Sequence, residues 1–254
     1  MNIQGHAALV TGGASGLGEA TARALARLGG KVAVLDVNLA QAEKVAQDIG
    51  GVACQCDITD TESLAAAIAK AAQAHGTARI LMNIAGIGSA RRVVQKDGSA
   101  APLEDFAKVI NVNLIGSYNA SRLFAAECAK LPPLEDGERG VMMFTASVAA
   151  FDGQVGQQAY SASKGGLVGM TLPMARDLAQ HGIRVCTIAP GLFSTPLMRQ
   201  LPEAVQQSLA ASIPFPPRLG KPEEFAQLAC HIVTNTHLNG EVIRLDGALR
   251  MAPR

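Results

Sequence analysis

The sequence predicts an α/β fold in a single domain spanning 1–254, a parallel sheet covered on both faces by helices. Three observations predict it. Short apolar runs alternate with helical stretches of about 10 to 15 residues along nearly the whole chain, the order of βαβ units. A glycine-rich turn, TGGASGLG, joins the first strand to the first helix. Small or acidic residues recur just past the apolar runs, at Asp36, Asp57, Gly86 and Gly191, and ligands of parallel sheets gather at those strand ends. With 254 residues, 48% hydrophobic, the chain can bury a substantial core, and no linker or repeat divides it.

Ala7 to Thr11 reads as the first strand, followed by Gly12, Gly16 and Gly18 and a helix from Glu19 to Leu28. These glycines let the backbone approach a phosphate pair resting on the helix N-terminus, where free N–H groups and the dipole favour anions. Lys31 to Leu35 is the next strand, ending in Asp36. A carboxylate there suits the ribose hydroxyls of an adenosine and repels a 2′-phosphate. Neither Ser15 nor Val37 offers a compensating cation, so the pattern favours NAD over NADP.

Leu39 to Ile49 is a helix, Val52 to Cys56 a strand ending in Asp57 and Ile58, and Thr61 to His75 an alanine-rich helix stopped by Gly76. Arg79 to Asn83 is the fourth strand, running into Ile84, Ala85 and Gly86. Ser89 to Pro102 is a polar loop carrying Arg91, Arg92 and Lys96, and Leu103 to Lys130 a long helical stretch containing NVNL at 111–114. After a second polar loop, Leu131 to Arg139, strand five covers Val141 to Ala146. A helix from about Gln157 to His181 follows, which Pro173 should kink. Ile183 to Ala189 is strand six, ended by Pro190 and Gly191. Leu192 to Phe215 has a weak helical pattern at a strand end, where a lid would attach. Pro222 to Thr234 is a helix and Glu241 to Leu245 the last strand.

Chemistry concentrates in TASVAAFDGQVGQQAYSASK, 145–164. Tyr160 and Lys164 stand four apart, one helical turn, so their side chains share a face. A phenol is a poor base at neutral pH, and about 4 kcal/mol of phenolate stabilisation would bring it near 7. A neighbouring ammonium supplies part of that. Ser147, just past strand five, can hold a substrate oxygen while Tyr160 moves the proton.

Taken together, the glycine turn, Asp36, NIAG, NVNL, Ser147, YxxxK and Pro190-Gly191 make the chain resemble the short-chain dehydrogenases/reductases over nearly its whole length. The resemblance implies a seven-stranded Rossmann sheet with three helices per face and a homotetramer, or less often a dimer. It implies roles too: Tyr160 as acid/base, Lys164 lowering its pKa and holding the nicotinamide ribose, Ser147 orienting the reacting oxygen and Asn113 holding a water. By the same resemblance Gly12, Ser15, Gly16, Leu17 and Gly18 serve the pyrophosphate, Asp36 the ribose, and Asp57 and Ile58 the adenine. Asn83, Ile84, Ala85 and Gly86 lie along the dinucleotide, and Pro190, Phe193 and Thr195 at its nicotinamide end. NIAG departs from the commoner NNAG, so a polar contact usual at position 84 is absent.

Within that family, the runs around Ser147 and Tyr160, IAPGLFSTPL and NGEVIRLDGALRM resemble the type II 3-hydroxyacyl-CoA dehydrogenases, also described as 17β-hydroxysteroid dehydrogenases. The implied reaction interconverts an L-3-hydroxyacyl-CoA and its 3-ketoacyl-CoA with NAD. Gln154 and Gln157 are candidates to line the acyl pocket, with ordinary turn polarity as their rival. Arg91, Arg92, Lys96 or Arg199 are candidates for the CoA phosphates, against a solvated loop and a surface Arg. A dehydrogenase of another secondary alcohol, such as a hydroxysteroid, shares every catalytic residue. A non-catalytic NAD-binding scaffold would be expected to lose Tyr160 or Lys164.

A formal charge of +1 gives no basis for a nucleic-acid or anionic-membrane partner. The five cysteines are odd in number and lack metal-ligand spacing, so no metal is expected and the thiols read as reduced and buried. No signal or transit pattern opens the sequence, and the expected compartment is the cytoplasm.

Overall fold

Strand residues alternate between two apolar layers, and that alternation builds the molecule. The computed structural model describes residues 1–253, with Leu197 by its backbone alone. Its strands are β1 (Ala7–Thr11), β2 (Lys31–Asp36), β3 (Val52–Gln55), β4 (Ile80–Asn83), β5 (Gly140–Thr145), β6 (Ile183–Pro190) and β7 (Val242–Leu245). All pair in parallel, in the order β3-β2-β1-β4-β5-β6-β7. Val10, Val34, Met82 and Met143 face one layer, with α1 (Gly16–Arg27), α2 (Leu39–Ile49) and α9 (Pro222–Thr234) packed over it. Leu9, Leu35, Leu81 and Phe144 face the other, under α3 (Thr61–His75), α5 (Ser117–Cys128) and α6 (Gln158–Leu178). A sheet buried on both faces needs near-continuous apolar strands, and β1, β4 and β5 are buried throughout.

The predicted helices at 39–49, 61–75 and 222–234 form with those bounds. Asn38 caps α2 by accepting from the Gln41 N–H, and Asp60 caps α3 by accepting from Glu62 and Ser63. α1 begins at Gly16, three residues before the predicted start, because the helix opens inside the glycine turn. The stretch predicted as one helix at 103–130 is α4 (Leu103–Ile110), a π-helical turn (Asn111–Gly116) and α5. α6 continues through Pro173, whose ring lies on an exposed face. The weakly patterned segment after β6 holds α7 (Pro196–Arg199) and α8 (Glu203–Ala211).

From β1 the chain steps outward through β2 to β3, then returns to place β4 on the opposite side of β1. That reversal opens a crevice at the carboxyl ends of β1 and β4, the switch point where open α/β sheets bind ligands. Among the described residues, no helix is long and apolar enough to cross a membrane.

Candidate active site

A groove of about 530 Å³ runs along that switch point. Gly12, Ser15, Gly16, Leu17 and Gly18 form its floor, with Asp36, Asp57 and Ile58 at one end. Ile84, Ala85 and Gly86 line the middle, and Thr195 closes over it from the segment after β6. Twelve of the residues singled out from the sequence thus share one lining. Leu35, Val37, Cys56, Ile87, Val112 and Pro196 join them without having been singled out.

Close backbone approach shapes the floor. Gly12 has φ +65°, and a Cβ there would lie 2.8 Å from the backbone of Ala85, so a side chain would push the ends of β1 and β4 apart. A Cβ on Gly18 would sit 1.9 Å from the Gly12 carbonyl oxygen. Gly18→Ala should therefore destabilise the fold by about 3 kcal/mol or more, since backbone cannot yield as a side chain can. A thermal melt against wild type measures it. Thr11 holds the same junction: its Oγ1 accepts from the Ile84 and Ala85 N–H groups at 3.1 and 3.2 Å. Nothing in local spacing marked Thr11, because its partners lie more than seventy residues away.

Asp36 ties the turn to β2. One carboxylate oxygen accepts from the Ala14 N–H at 3.1 Å and the other from Asn38 at 3.0 Å. Ser15 is the extended N-cap of α1, and its hydroxyl makes no cap hydrogen bond. The floor therefore offers an uncommitted hydroxyl beside the free N–H groups of a helix N-terminus.

Ser147, Tyr160 and Lys164 gather at the inner end, beyond β5. Ser147 and Lys164 are buried and Tyr160 is partly exposed. The Ser147 Oγ accepts from the Ala149 N–H at 3.1 Å. Lys164 Nζ donates to the Thr145 carbonyl at 2.6 Å and lies 5.7 Å from the Tyr160 ring centroid. Burial pushes the Lys164 ammonium down to about 8. Burial also raises Tyr160 above its ordinary value, with the Ser147 hydroxyl pulling the other way. In this site the phenol is held protonated, the opposite of a base ready at neutral pH.

Asn113 lies in the π-helical turn and is fully buried. Its Oδ1 accepts from the Ile87 N–H at 2.8 Å, while Nδ2 donates to the Ile87 carbonyl and the Ser163 hydroxyl at 2.9 and 3.0 Å. The side chain clips the segment after β4 to α6, and both amide hydrogens are engaged. A π turn carries one extra residue per turn and often marks a functional site. Gly86 packs against both Asn113 and Lys164.

Other expected residues stand outside the groove lining. Asn83 is buried at the end of β4 and donates to the Ser121 hydroxyl. Pro190 ends β6 within the core. Phe193 directs its ring away from the groove, edge-on to Phe225 at 6.3 Å, because the apolar layer takes it up; its carbonyl accepts from the Thr195 N–H. Gln154 donates to the Ala252 carbonyl, and Gln157 Oε1 accepts from the Gln154 N–H. Of the candidate cations, Arg91 pairs with Asp105 at 2.8 Å, and Arg92, Lys96 and Arg199 are exposed. A hollow of similar volume beyond Phe193, at Ile213, Arg218 and His231, lies apart from the Ser147–Tyr160–Lys164 cluster.

Comparisons with known proteins agree with this geometry. The family described as short chain dehydrogenase matches residues 6–206. The 3-hydroxyacyl-CoA dehydrogenase type-2 of Bos taurus is 52% identical over 255 residues, covering 99% of this chain and 98% of its own. Among solved structures, the 3-hydroxyacyl-CoA dehydrogenase type-2 from Mycobacterium avium superposes with a TM-score of 0.95, at 45% identity over 98% of both chains. A 3-ketoacyl-(acyl-carrier-protein) reductase from Brucella melitensis, complexed with NADH, gives a TM-score of 0.87 at 30% identity over 98% of this chain and 100% of its own. Fold and end-to-end similarity converge on one lineage, and the chain belongs to the short-chain dehydrogenase family.

Proposed function

We propose that this protein is an NAD-dependent dehydrogenase interconverting L-3-hydroxyacyl-CoA and 3-ketoacyl-CoA, with Tyr160 as its acid/base. One observation carries the reading: a serine, a tyrosine and a lysine gather beside a groove floored by a glycine turn, with Lys164 against Gly86 of its lining. The high identity to type-2 3-hydroxyacyl-CoA dehydrogenases over the full length of the chain supports the substrate class.

The groove fits a dinucleotide. The Ser15 hydroxyl and the N-terminus of α1 offer donors to a pyrophosphate, and the Asp36 carboxylate faces the position of an adenosine ribose. Val37 beside it is apolar and 65% exposed, so nothing there balances a 2′-phosphate and NAD is favoured over NADP. Asp57 and Ile58 flank the adenine end, and Ile84 to Gly86 and Thr195 the remainder. Bound there, NAD would supply the hydride exchange and, when oxidised, a positive charge on its nicotinamide.

The chain's own groups do the rest. Ser147 donates a hydrogen bond to the reacting oxygen and sets its distance from Tyr160. In reduction, the protonated Tyr160 gives its proton to the developing alkoxide. In oxidation, it must first ionise, and the Lys164 ammonium is the nearby charge that favours the phenolate. Asn113 keeps the backbone at Ile87 and the start of α6 in fixed relation, with a proton-relay water as its further proposed role.

Arg92, Lys96 and Arg199 are the exposed cations left to meet CoA phosphates. A homotetramer suits the exposed apolar side chains along α4, the π-helical turn and α5, Phe106, Ile115 and Tyr118. The five free, buried cysteines suit a reducing compartment such as the cytoplasm.

The test is absorbance at 340 nm with purified protein, comparing acetoacetyl-CoA, a free ketone and a ketosteroid, each with NADH and NADPH. Rapid oxidation of NADH by the thioester, with NADPH much poorer, is the expected result. Turnover of ketone or steroid alone would replace the substrate and keep the mechanism. Light scattering on the same preparation should give four times the mass of the 26.2 kDa chain.

A further inference from the structure

The loop between Ser147 and Tyr160 is held from outside by the far end of the chain. Arg244, on β7, donates from Nη2 to Asp152 Oδ2 at 2.6 Å and to the Leu249 carbonyl at 2.9 Å. Its Nε donates to Asp246 Oδ2 at 2.8 Å, and its guanidinium carbon lies 5.1 Å from the Phe151 ring centroid. Two further bonds attach the loop to the final residues. The Val155 N–H donates to the Pro253 carbonyl at 3.0 Å, and Gln154 Nε2 to the Ala252 carbonyl at 2.9 Å.

This loop carries turn hydrogen bonds of its own, from the Phe151 and Asp152 N–H groups to the Val148 carbonyl and from Gln157 to Gln154, but no regular element. Past a short 3-10 turn at Val148–Ala150, it reaches α6 through turns. It also displays two large apolar side chains to the exterior, Phe151 at 49% and Val155 at 46% exposure. Both belong to the segment that joins Ser147 to Tyr160, and both are placed by the contacts just described: Phe151 under Arg244, Val155 through Pro253.

We infer that Arg244 is a positioning residue for substrate, acting through Asp152 and the C-terminal segment 249–253 to fix Phe151 and Val155 as one wall of the acyl site. The inference rests on the acyl-CoA reading for the identity of the substrate. Arg244 touches neither the catalytic cluster nor the dinucleotide groove, so its loss should weaken substrate binding and spare hydride transfer. A guanidinium suits the task, since its planar fork reaches two carboxylates and a carbonyl while covering an aromatic face.

The experiment uses Arg244→Met, Asp152→Asn and a chain ending at Met251, with steady-state kinetics and NADH binding by its fluorescence. Each variant should raise KM for a 3-ketoacyl-CoA about tenfold, keep kcat within about threefold of wild type and leave NADH affinity unchanged. Arg244→Lys, which keeps a cation for Asp152, should fall between wild type and Arg244→Met. Hydrogen exchange at the Val155 amide should quicken about tenfold in Arg244→Met and in the shortened chain. A purely structural ion pair would lower the melting temperature and leave KM in place. Unchanged KM and unchanged Val155 exchange in the folded variants would overturn the inference, as would a fall in kcat with KM constant. If wild type turns over only ketones or steroids, the acyl-CoA reading fails, and the same KM comparison on those substrates still decides the role of Arg244. Should Arg244→Met fail to fold, Asp152→Asn removes the same charge pair with its shape preserved.

Discussion

Tyr160→Phe should lower kcat by about 10³-fold while NADH still binds, because the substitution removes one hydroxyl and keeps the ring in its packing. Positioned acid/base groups contribute roughly 10² to 10⁴. Single-turnover absorbance at 340 nm separates the chemical step from cofactor binding. Residual activity within about tenfold of wild type would show that the proton reaches the substrate oxygen by another route. A spectroscopic companion comes from composition: the chain has two tyrosines and no tryptophan, so phenolate absorbance near ~295 nm is uncluttered. Burial holds Tyr160 above the ordinary tyrosine value, so the free protein should show a tyrosine step at unusually high pH that Tyr160→Phe abolishes. The same step should move to lower pH when NAD binds, since added positive charge favours the phenolate.

How much of this was visible in the sequence depends on the range of the contact concerned. The glycine turn, Asp36 and the Tyr160–Lys164 pair are local patterns, four to eighteen residues long, and the folded chain carries the turn and Asp36 into one groove with Tyr160 and Lys164 beside it. The strands were legible for the same reason, as short apolar runs read within single segments. Thr11 and Arg244 gave no such signal, because their far partners are brought near by the fold alone. The π-helical turn was invisible for a different reason. Helical periodicity looks continuous across Asn111–Gly116, and the inserted residue is stabilised by Asn113 bonds to Ile87 and Ser163, which no local pattern encodes. Phe193, expected at the nicotinamide end by family resemblance, sends its ring into the apolar layer against Phe225, a placement set by packing that no local pattern encodes. The electrostatic expectation for Tyr160 also needed the fold: the YxxxK spacing gives the neighbouring cation, while only the packed site shows that burial raises the phenol, with the Ser147 hydroxyl pulling the other way.

Lys164→Met should make the protein more stable and nearly inactive. The ammonium is 4% exposed and its single hydrogen bond is to the Thr145 carbonyl at 2.6 Å. Burial lowers its pKa from 10.5 to about 8, a differential cost of about 3 kcal/mol for the charged form. Loss of the bond to Thr145 gives back about 1 kcal/mol, which leaves a net gain of about 2 kcal/mol at pH 7 for the methionine variant. The pH dependence fixes the cause. Between the folded value of about 8 and the unfolded value of 10.5, the unfolded chain binds the proton that the folded chain has released, so wild-type stability rises with pH through that window. The variant lacks this group, and its advantage should shrink as pH rises from 7 to 10. Urea unfolding of both proteins at pH 7 and 9.5 measures the change. A variant less stable than wild type at pH 7, or an advantage that does not shrink, would mean that the amine is better solvated or bonded than its burial indicates. Activity should fall by about 10² or more, since the cation that favours the phenolate is gone. The retention of a buried ammonium that lowers stability is then explained by its work beside Tyr160, a trade of stability for function at the catalytic cluster.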